Sequence, residues 1–241
     1  MTEKIVALVL NVRKYNDKNV IVTAYTRSRG RLSFISPLGT GKASNARRAR
    51  LQPLSLITTE LNYKPGTELQ RLGSISLVEP WNDLYFNNTK RSLSLFISEF
   101  LYRLLIATMP EENLFDFLVD SLRLLDRMEE GTGDFHIPFL VSMLSYAGIQ
   151  PDISGYAEDK IFDFNTGSFQ YSEEAGPIAL SPFESKAVKF VARLNYNNIK
   201  KVRLNNVSRR QILYGLLNYF SFHYPGISSL KSVEVLREIF E

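Results

Sequence analysis

The sequence contains no cysteine, which excludes disulfides and cysteine-based zinc sites. Its two histidines, His136 and His223, are far apart along the chain, which argues against a histidine-rich metal site. No apolar stretch with a small-residue cleavage site follows the N-terminus, so a signal peptide is not expected. The most apolar predicted helix, at 93–107, is interrupted by Glu99 and Arg103 and is too short to span a bilayer. We therefore expect a cytoplasmic protein without a bound metal.

Acidic residues are scarce in the first third of the chain. Residues 1–80 hold 13 Lys and Arg against five Asp and Glu, a net charge of +8, whereas residues 81–241 carry a net charge of −4. Ten of these cations and a single acid, Asp17, lie within residues 13–50. Charge segregated in this way predicts a polyanionic partner for the N-terminal part.

The first eighty residues have the pattern of a small β domain. Apolar and β-branched runs predict five strands, at 6–12, 20–26, 31–36, 54–63 and 69–78. Turn residues separate them, and five short strands with tight turns fit an OB-fold barrel. The segment 37–50 breaks the pattern, because it is rich in glycine and basic residues, and we predict a long loop there.

Beyond residue 80 the hydrophobic period becomes that of helices. Helices are predicted at 93–107, from 110 to about 130, and at 135–147, 182–194, 208–224 (with Ser208 as its N-cap) and 232–240. Runs 161–164 and 168–171 predict a β-hairpin within an irregular stretch at about 150–182. The predicted fold class is α+β, with a five-stranded OB-fold domain at 1–80 and a mainly helical domain at 81–241 that carries this hairpin insertion.

Ten basic residues of the barrel are predicted to bind nucleic acid, because flexible Lys and Arg side chains can follow phosphates and release their counterions. They stand at strand ends, in a hairpin and in the loop: Arg13, Lys14, Lys18, Arg27, Arg29, Arg31, Lys42, Arg47, Arg48 and Arg50. A solvated charged surface is the alternative interpretation. Tyr15, Tyr25 and Phe34 lie near these positions and could stack bases, although strand aromatics more often belong to a core.

The sequence predicts neither a catalytic site nor a cofactor. The segment 39–44 resembles a phosphate-binding loop, but Ser36 stands where the first glycine is needed and Ala43 where Ser or Thr is needed. Both histidines are predicted to be capping or surface residues rather than members of a Ser-His-acid site. A magnesium-dependent nuclease would need clustered acids, which the N-terminal part lacks. An RNA-binding or ribosome-associated OB-fold protein remains an alternative, because the same charge pattern would serve it.

Several segments, in this order and spacing, resemble the RecO family of bacterial recombination mediators. Residues 7–16 look like that family's first strand and its basic exit, and 22–32 resemble its second hairpin. The basic loop is followed by 51–56, a recognisable family segment, and 230–236 are similar to the closing helix. The composition resembles the Bacteroidetes-type members.

The resemblance implies an OB-fold followed by a helical domain. It implies a DNA repair and recombination protein that binds single- and double-stranded DNA and anneals complementary strands. It also implies that RecR and the C-terminal tail of single-stranded-DNA-binding protein (SSB) are partners, so that RecA can be loaded onto DNA. A protein with this role would be located at the nucleoid. Many members carry a four-cysteine zinc site that this chain lacks in the region 148–177. Aromatic packing is predicted to hold that region instead, through Phe162, Phe164, Phe169 and Tyr171.

Basic residues are also dense near the C-terminus, where residues 181–241 carry ten Lys and Arg against four acids. The SSB tail is acidic and ends in an aromatic residue, so a basic rim around an apolar cleft would receive it. The residues predicted for this rim are Lys186, Lys189, Arg193, Arg209 and Arg210. A solvated helix face is the alternative. Residues 81–180, with six Lys and Arg against sixteen acids, are not expected to contact DNA.

Overall fold

The computed structural model describes residues 2–37, 42–106, 109–202 and 204–239. Contacts divide the chain into two compact units: the first runs to Glu129 and includes Leu230–Ile239, and the second is Glu130–Ser229. This division differs from the domain boundary predicted after residue 80. That domain boundary stays a prediction.

The first unit begins with a curled six-stranded sheet. Its strands are β1 (Glu3–Lys14), β2 (Asn19–Thr26), β3 (Gly30–Pro37), β4 (Leu56–Leu61), β5 (Leu69–Arg71) and β6 (Ile75–Leu77). They pair in the order β5-β3-β2-β1-β4-β6, and the β3–β5 pair is parallel while the others are antiparallel. The α+β class and the N-terminal OB-fold are as predicted.

The fifth predicted strand, at 69–78, is broken into β5 and β6. The two halves pair with opposite edges of the sheet, β5 with β3 and β6 with β4. The break between them therefore joins the two edges and curls the sheet around its core. Gly73 is required at the break, because a Cβ there would lie 2.5 Å from the carbonyl oxygen of Glu60.

Alternation of side chains along the strands produces one apolar core inside the barrel. Its buried members are Ile5, Ala7, Val9, Val20, Val22, Ala24, Phe34, Leu51, Ile57, Leu61, Leu72 and Ile75. Helices α2 (Asn88–Leu104), α3 (Glu112–Arg127) and α8 (Ser232–Ile239) also belong to this unit. The outer face of the sheet packs on two of them: Ser98 of α2 donates to the carbonyl oxygen of Leu10, and the ring of Tyr25 stacks on Phe115 of α3.

The prediction of a loop over 37–50 is wrong in its second half, where Lys42–Arg50 form helix α1. Residues 38–41 lie outside the described residues. Ala46 and Ala49 favour a helix, and the arginines of the last turn lie near the negative end of the helix dipole. Leu51 follows the helix directly and is buried in the barrel core, which anchors α1 to the barrel.

The second unit is helical and carries the predicted β-hairpin. Its elements are α4 (His136–Tyr146), β7 (Lys160–Asp163), β8 (Ser168–Tyr171), α5 (Pro182–Val191), α6 (Ile199–Val202) and α7 (Asn206–His223). The predicted N-cap Ser208 is wrong: Asn205 caps α7, and its Oδ1 accepts from the Ser208 amide at 2.8 Å. Across the described ranges, none of the helices has the length and apolar character needed to cross a membrane.

Candidate nucleic-acid interface

At one end of the barrel, the end of β1, the start of β2 and the end of β3 lie next to one another. Lys14 of β1 pairs with Val20 of β2, and Val20 pairs with Ser36 of β3. Arg13 and Arg71 occupy the next row, which crosses β1, β2, β3 and β5. Paired residues direct their side chains to one face of a sheet, so these two guanidinium groups share a face, with their backbones roughly 14 Å apart.

The cations at this end are exposed. Arg13, Lys18, Arg48 and Arg71 make no ion pair or side-chain hydrogen bond with any residue that the structure describes. Lys14 Nζ lies 2.7 Å from Asp17 Oδ1, but both side chains are largely exposed and such pairs are weak. We call these five cations, which are Arg13, Lys14, Lys18, Arg48 and Arg71, the basic end. Arg71 is not among the predicted residues, because it lies outside the basic run and only the parallel β3–β5 pairing brings it here.

Arg47 of α1 is bound to the barrel rather than free. Its Nε donates to Ser36 Oγ at 2.9 Å, and its Nη2 donates to the carbonyl oxygens of Leu72 and Gly73 at 3.1 and 3.0 Å. Burial lowers the pKa of this guanidinium. The side chain therefore satisfies the backbone at the break between β5 and β6, and it fixes α1 to the barrel end that carries Arg13.

Arg50 has a similar structural contact, since its Nη1 donates to the carbonyl oxygen of Ile75 at 3.1 Å. The rest of its side chain is exposed. Of the three arginines in the last turn of α1, Arg48 is therefore the one whose guanidinium contacts no polar partner among the described residues. The side chain of Lys42 lies outside the described residues, and its predicted role stays a prediction.

Two arginines of the β2–β3 hairpin, at the opposite end of the barrel, are paired with acids. Arg27 Nη2 lies 3.3 Å from Glu112 and 3.0 Å from Asp116, both on α3. Arg29 Nε lies 2.6 Å from Glu3 Oε1. Their charge is balanced locally, so binding of a phosphate would have to displace these carboxylates.

Arg31 is held by α2. Its Nη1 donates to the carbonyl oxygens of Tyr102 and Leu105 at 2.7 and 2.8 Å, and its guanidinium lies 4.6 Å from the centroid of the Tyr102 ring. Burial lowers its pKa. Nine of the ten predicted cations, all except Lys42, thus separate into an exposed group at the basic end and a group that contacts other parts of the first unit.

Of the three aromatic residues considered for base stacking, one is exposed. Tyr25 and Phe34 are fully buried. A buried ring offers no face to a base, so base stacking by these two is wrong. The Tyr15 side chain is 56% exposed and stands in the turn between β1 and β2, beside Lys14.

Basic residues of the second unit line a groove of about 400 Å³ at α5 and α6. It is lined by Lys186, Lys189, Phe190, Arg193, Leu194, Asn198, Lys201 and Val202. Three of the five residues predicted for a basic rim therefore come together around an apolar floor. The residues predicted for the rim do not include Lys201, and the apolar residues of the floor are not named in the prediction.

Arg209 and Arg210 do not line this groove. Arg209 Nε lies 2.6 Å from Asp134 Oδ1, and its Nη2 donates to the carbonyl oxygen of Leu204 at 3.1 Å. Both side chains of this ion pair are largely buried. Arg209 therefore joins the start of α7 to the turn that precedes α4.

The hairpin region, which is predicted to lack a zinc site, is held by aromatic side chains. Phe162 packs on Phe169 and Tyr219 with ring centroids 5.3 and 5.6 Å apart, and Phe164 packs on Tyr219 at 5.1 Å. We call these four residues the aromatic cluster. The prediction is wrong for Tyr171, which is exposed and stacks under the ammonium group of Lys160.

Neither histidine side chain is exposed. His136 is fully buried, so of the two predicted roles, capping or surface, the surface role is wrong. Burial together with the nearby Arg209 charge lowers its pKa to about 3. Burial also lowers the pKa of His223, whose ring meets the edge of Tyr219. Among the residues with described positions, no three His, Asp or Glu side chains are grouped to hold a metal ion.

Comparison with known protein families shows to which family this chain belongs. Residues 1–81 match the model "Recombination protein O N terminal", and residues 89–234 match "Recombination protein O C terminal". The chain belongs to the RecO family of DNA repair proteins. The DNA repair protein RecO of Phocaeicola vulgatus is 31% identical over 240 residues, and that of Bacteroides fragilis is 30% identical over 242 residues. The RecO protein of Flavobacterium psychrophilum is 30% identical over 241 residues, and each alignment covers all of both chains.

Proposed function

We propose that this RecO-family protein is a non-enzymatic recombination mediator that binds single- and double-stranded DNA and anneals complementary strands. With RecR, it helps to load RecA onto SSB-coated DNA. Family membership supports the repair role. The observation that carries the DNA contact is the basic end, whose cations are exposed and mostly unpaired. The DNA partner implies action at the nucleoid, in the cytoplasm.

Binding at the basic end should depend strongly on salt. If all five cations neutralise phosphates of a single strand, the slope of log affinity against log salt concentration is about −3.5, because each contact contributes about −0.7. Phosphate contacts carry no sequence information, so oligonucleotides of different sequence should bind alike.

The decisive comparison removes three charges from the basic end and three from elsewhere on the barrel. We expect the variant Arg13→Gln/Arg48→Gln/Arg71→Gln to reduce the size of the slope by about 2. The matched control Arg27→Gln/Arg29→Gln/Lys64→Gln should change it much less. A larger change in the control would move the DNA contact to the part of the barrel that carries Arg27, Arg29 and Lys64. The predicted role of Arg27 and Arg29 in DNA binding stays a prediction.

Annealing of two complementary oligonucleotides coated with SSB tests the mediator role. We expect acceleration that fades at high salt. DNA binding without acceleration would contradict mediation, and equal or tighter binding of a matched RNA would favour an RNA-binding or ribosome-associated protein. Magnesium-dependent cleavage of the DNA would contradict the absence of catalysis.

The groove of the second unit is the site that we propose for the SSB tail. Lys186, Lys189 and Arg193 would face the acidic residues of the tail, and Phe190 and Leu194 would contact its terminal aromatic ring. Lys189→Glu should abolish binding of a synthetic tail peptide, whereas Lys64→Glu in the barrel should not. Equal affinity of both variants for the peptide would place the tail elsewhere. The predicted contribution of Arg209 and Arg210 stays a prediction, and for Arg209 it would require loss of its ion pair.

A further inference from the structure

Tyr15 is an aromatic residue whose position the barrel core does not explain. Its side chain is 56% exposed, whereas Tyr25 and Phe34 are buried and Tyr63 lies under the guanidinium of Arg29 at 4.2 Å. Tyr15 is the exposed aromatic among the described residues of the barrel strands and their connections. An apolar ring left in water at this place is available for a ligand.

The turn that carries Tyr15 has a fixed backbone. The amides of Tyr15 and Asn16 donate to the carbonyl oxygen of Asn19 at 3.0 and 3.2 Å. Asn16 Oδ1 in turn accepts from the amides of Lys18 and Asn19 at 2.9 and 2.8 Å. The side chain of Asn16 therefore closes the turn from inside, and the base of the Tyr15 side chain is held in place before any ligand arrives.

The cations around the ring belong to the basic end, and the same turn carries the acid Asp17. Lys14 precedes Tyr15, Lys18 closes the same turn, and Arg13 lies one residue further back on β1. A backbone bound by these cations would bring its bases close to the Tyr15 ring. In a duplex the faces of the bases are covered by their neighbours, whereas a single strand can turn a base onto an aromatic side chain.

We infer that Tyr15 is a stacking platform for an unpaired base, and that it gives the basic end a preference for single-stranded over double-stranded DNA. This inference rests on the proposed DNA binding at the basic end. The cations supply affinity for both forms of DNA, and the ring adds affinity for one of them. Tyr15 is thus a specificity-determining residue for the proposed binding.

The test compares Tyr15→Ala, Tyr15→Phe and wild type on an oligothymidine and on a blunt duplex of the same length, by fluorescence anisotropy at several salt concentrations. Tyr15→Ala should weaken binding of the oligothymidine about tenfold and leave binding of the duplex within about twofold. Tyr15→Phe should bind both as wild type does. Since no charge is removed, the salt slope should not change. Phe86→Ala is the matched control, because Phe86 is an even more exposed aromatic (78%) that precedes α2.

The outcomes separate this inference from the proposed function. Loss of single-strand and duplex binding in equal measure by Tyr15→Ala, or no loss at all, would overturn the stacking role while DNA binding at the basic end survives. Failure of the wild type to bind any DNA would overturn both. Unchanged thermal unfolding of Tyr15→Ala would show that the turn has kept its structure.

A Tyr15→Trp variant gives an independent optical readout. The chain has one tryptophan, Trp81, which is buried and donates its Nε1 hydrogen to the carbonyl oxygen of Leu54 at 2.9 Å. Fluorescence from position 15 should be quenched by the oligothymidine and not by the duplex, relative to a wild-type control for Trp81. Equal quenching by both would contradict the inference.

Discussion

Arg13 and Arg31 carry the same charge, but they differ in what they contact. Arg13 is exposed and unpaired with respect to the described residues, whereas Arg31 donates to two carbonyl oxygens near the end of α2. Removing a donor from buried acceptors costs about 1–3 kcal/mol. Arg31→Ala should therefore lower the free energy of unfolding by that amount in urea titrations, and Arg13→Ala should leave it unchanged. DNA affinity should show the opposite order, and a large stability loss in Arg13→Ala would contradict this division of roles.

At the scale of the residue, the sequence predicts where cations are dense but not which of them are held by ion pairs or hydrogen bonds. Arg27 and Arg29 stand in the same basic run as Lys14 and Lys18, and nothing local marks their acidic partners. Arg27 meets Glu112, which is remote in sequence, because α3 packs beside the barrel. Whether a cation is paired depends on the tertiary structure, and composition alone cannot reveal it.

At the scale of the element, α1 depends on Arg47 for its place on the barrel. Arg47→Ala should leave the carbonyl oxygens of Leu72 and Gly73 without this donor, and should lower the free energy of unfolding by about 1–3 kcal/mol. Arg48→Ala should leave stability unchanged and reduce only the size of the DNA salt slope, by about 0.7. Thermal unfolding and anisotropy titrations of the two variants check this. Equal stability of both variants would contradict the anchoring role of Arg47.

The attachment of α8 to α2 should depend on pH through Glu99. Its Oε2 accepts from the amides of Lys231 and Ser232 at 3.0 and 2.8 Å and from Ser232 Oγ at 2.6 Å. Burial alone would raise the pKa of Glu99, but these hydrogen bonds and the Arg103 charge bring it below its ordinary value of 4.5. The stability that Glu99 contributes is therefore present above that pH and is lost as the pH falls through the lower folded-state pKa.

Glu99→Gln removes this dependence. We expect the variant to be less stable than wild type at neutral pH, and the difference to shrink as the pH falls below about 4.5. Urea unfolding at several pH values measures it. Glu234→Gln, on the exposed side of α8, is the control that should show no such convergence. A constant difference across the pH range would show that the carboxylate charge does not matter.

The elements that could be predicted are those whose pattern is local. Apolar and β-branched runs identify β1 to β4, and helical periodicity identifies α2 and α3. The helix α1 and the break between β5 and β6 could not be predicted, because each is stabilised by the other: Arg47 contacts the break, and Leu51 fills the core beneath it. A helix with a polar surface and a strand cut at Gly73 have no local signal that points to this contact.

At the scale of the whole molecule, the barrel and the hairpin are held together differently. The barrel core is mainly aliphatic, while the hairpin of the second unit is held by the aromatic cluster and by buried Asp163, whose Oδ1 accepts from the amide of Asn165 at 3.0 Å. The sequence shows that cysteine is absent, and it also predicts that Phe162, Phe164 and Phe169 hold this region in place of a zinc site. Tyr219 could not be predicted, because α7 is remote from the hairpin along the chain.

If aromatic packing has replaced metal ligation, stability should depend on Phe162 and not on a chelator. Phe162→Ala should lower the free energy of unfolding by about 3–5 kcal/mol, because it leaves a cavity among close-packed rings. Phe162→Leu should cost less, and Tyr171→Ala, at an exposed aromatic of the same hairpin, should cost little. Overnight dialysis of the wild type against EDTA should leave its thermal midpoint unchanged. A midpoint that fell with EDTA and recovered with zinc would mean that oxygen and nitrogen ligands hold a metal in this family member, and that the aromatic cluster supplements metal ligation rather than replaces it.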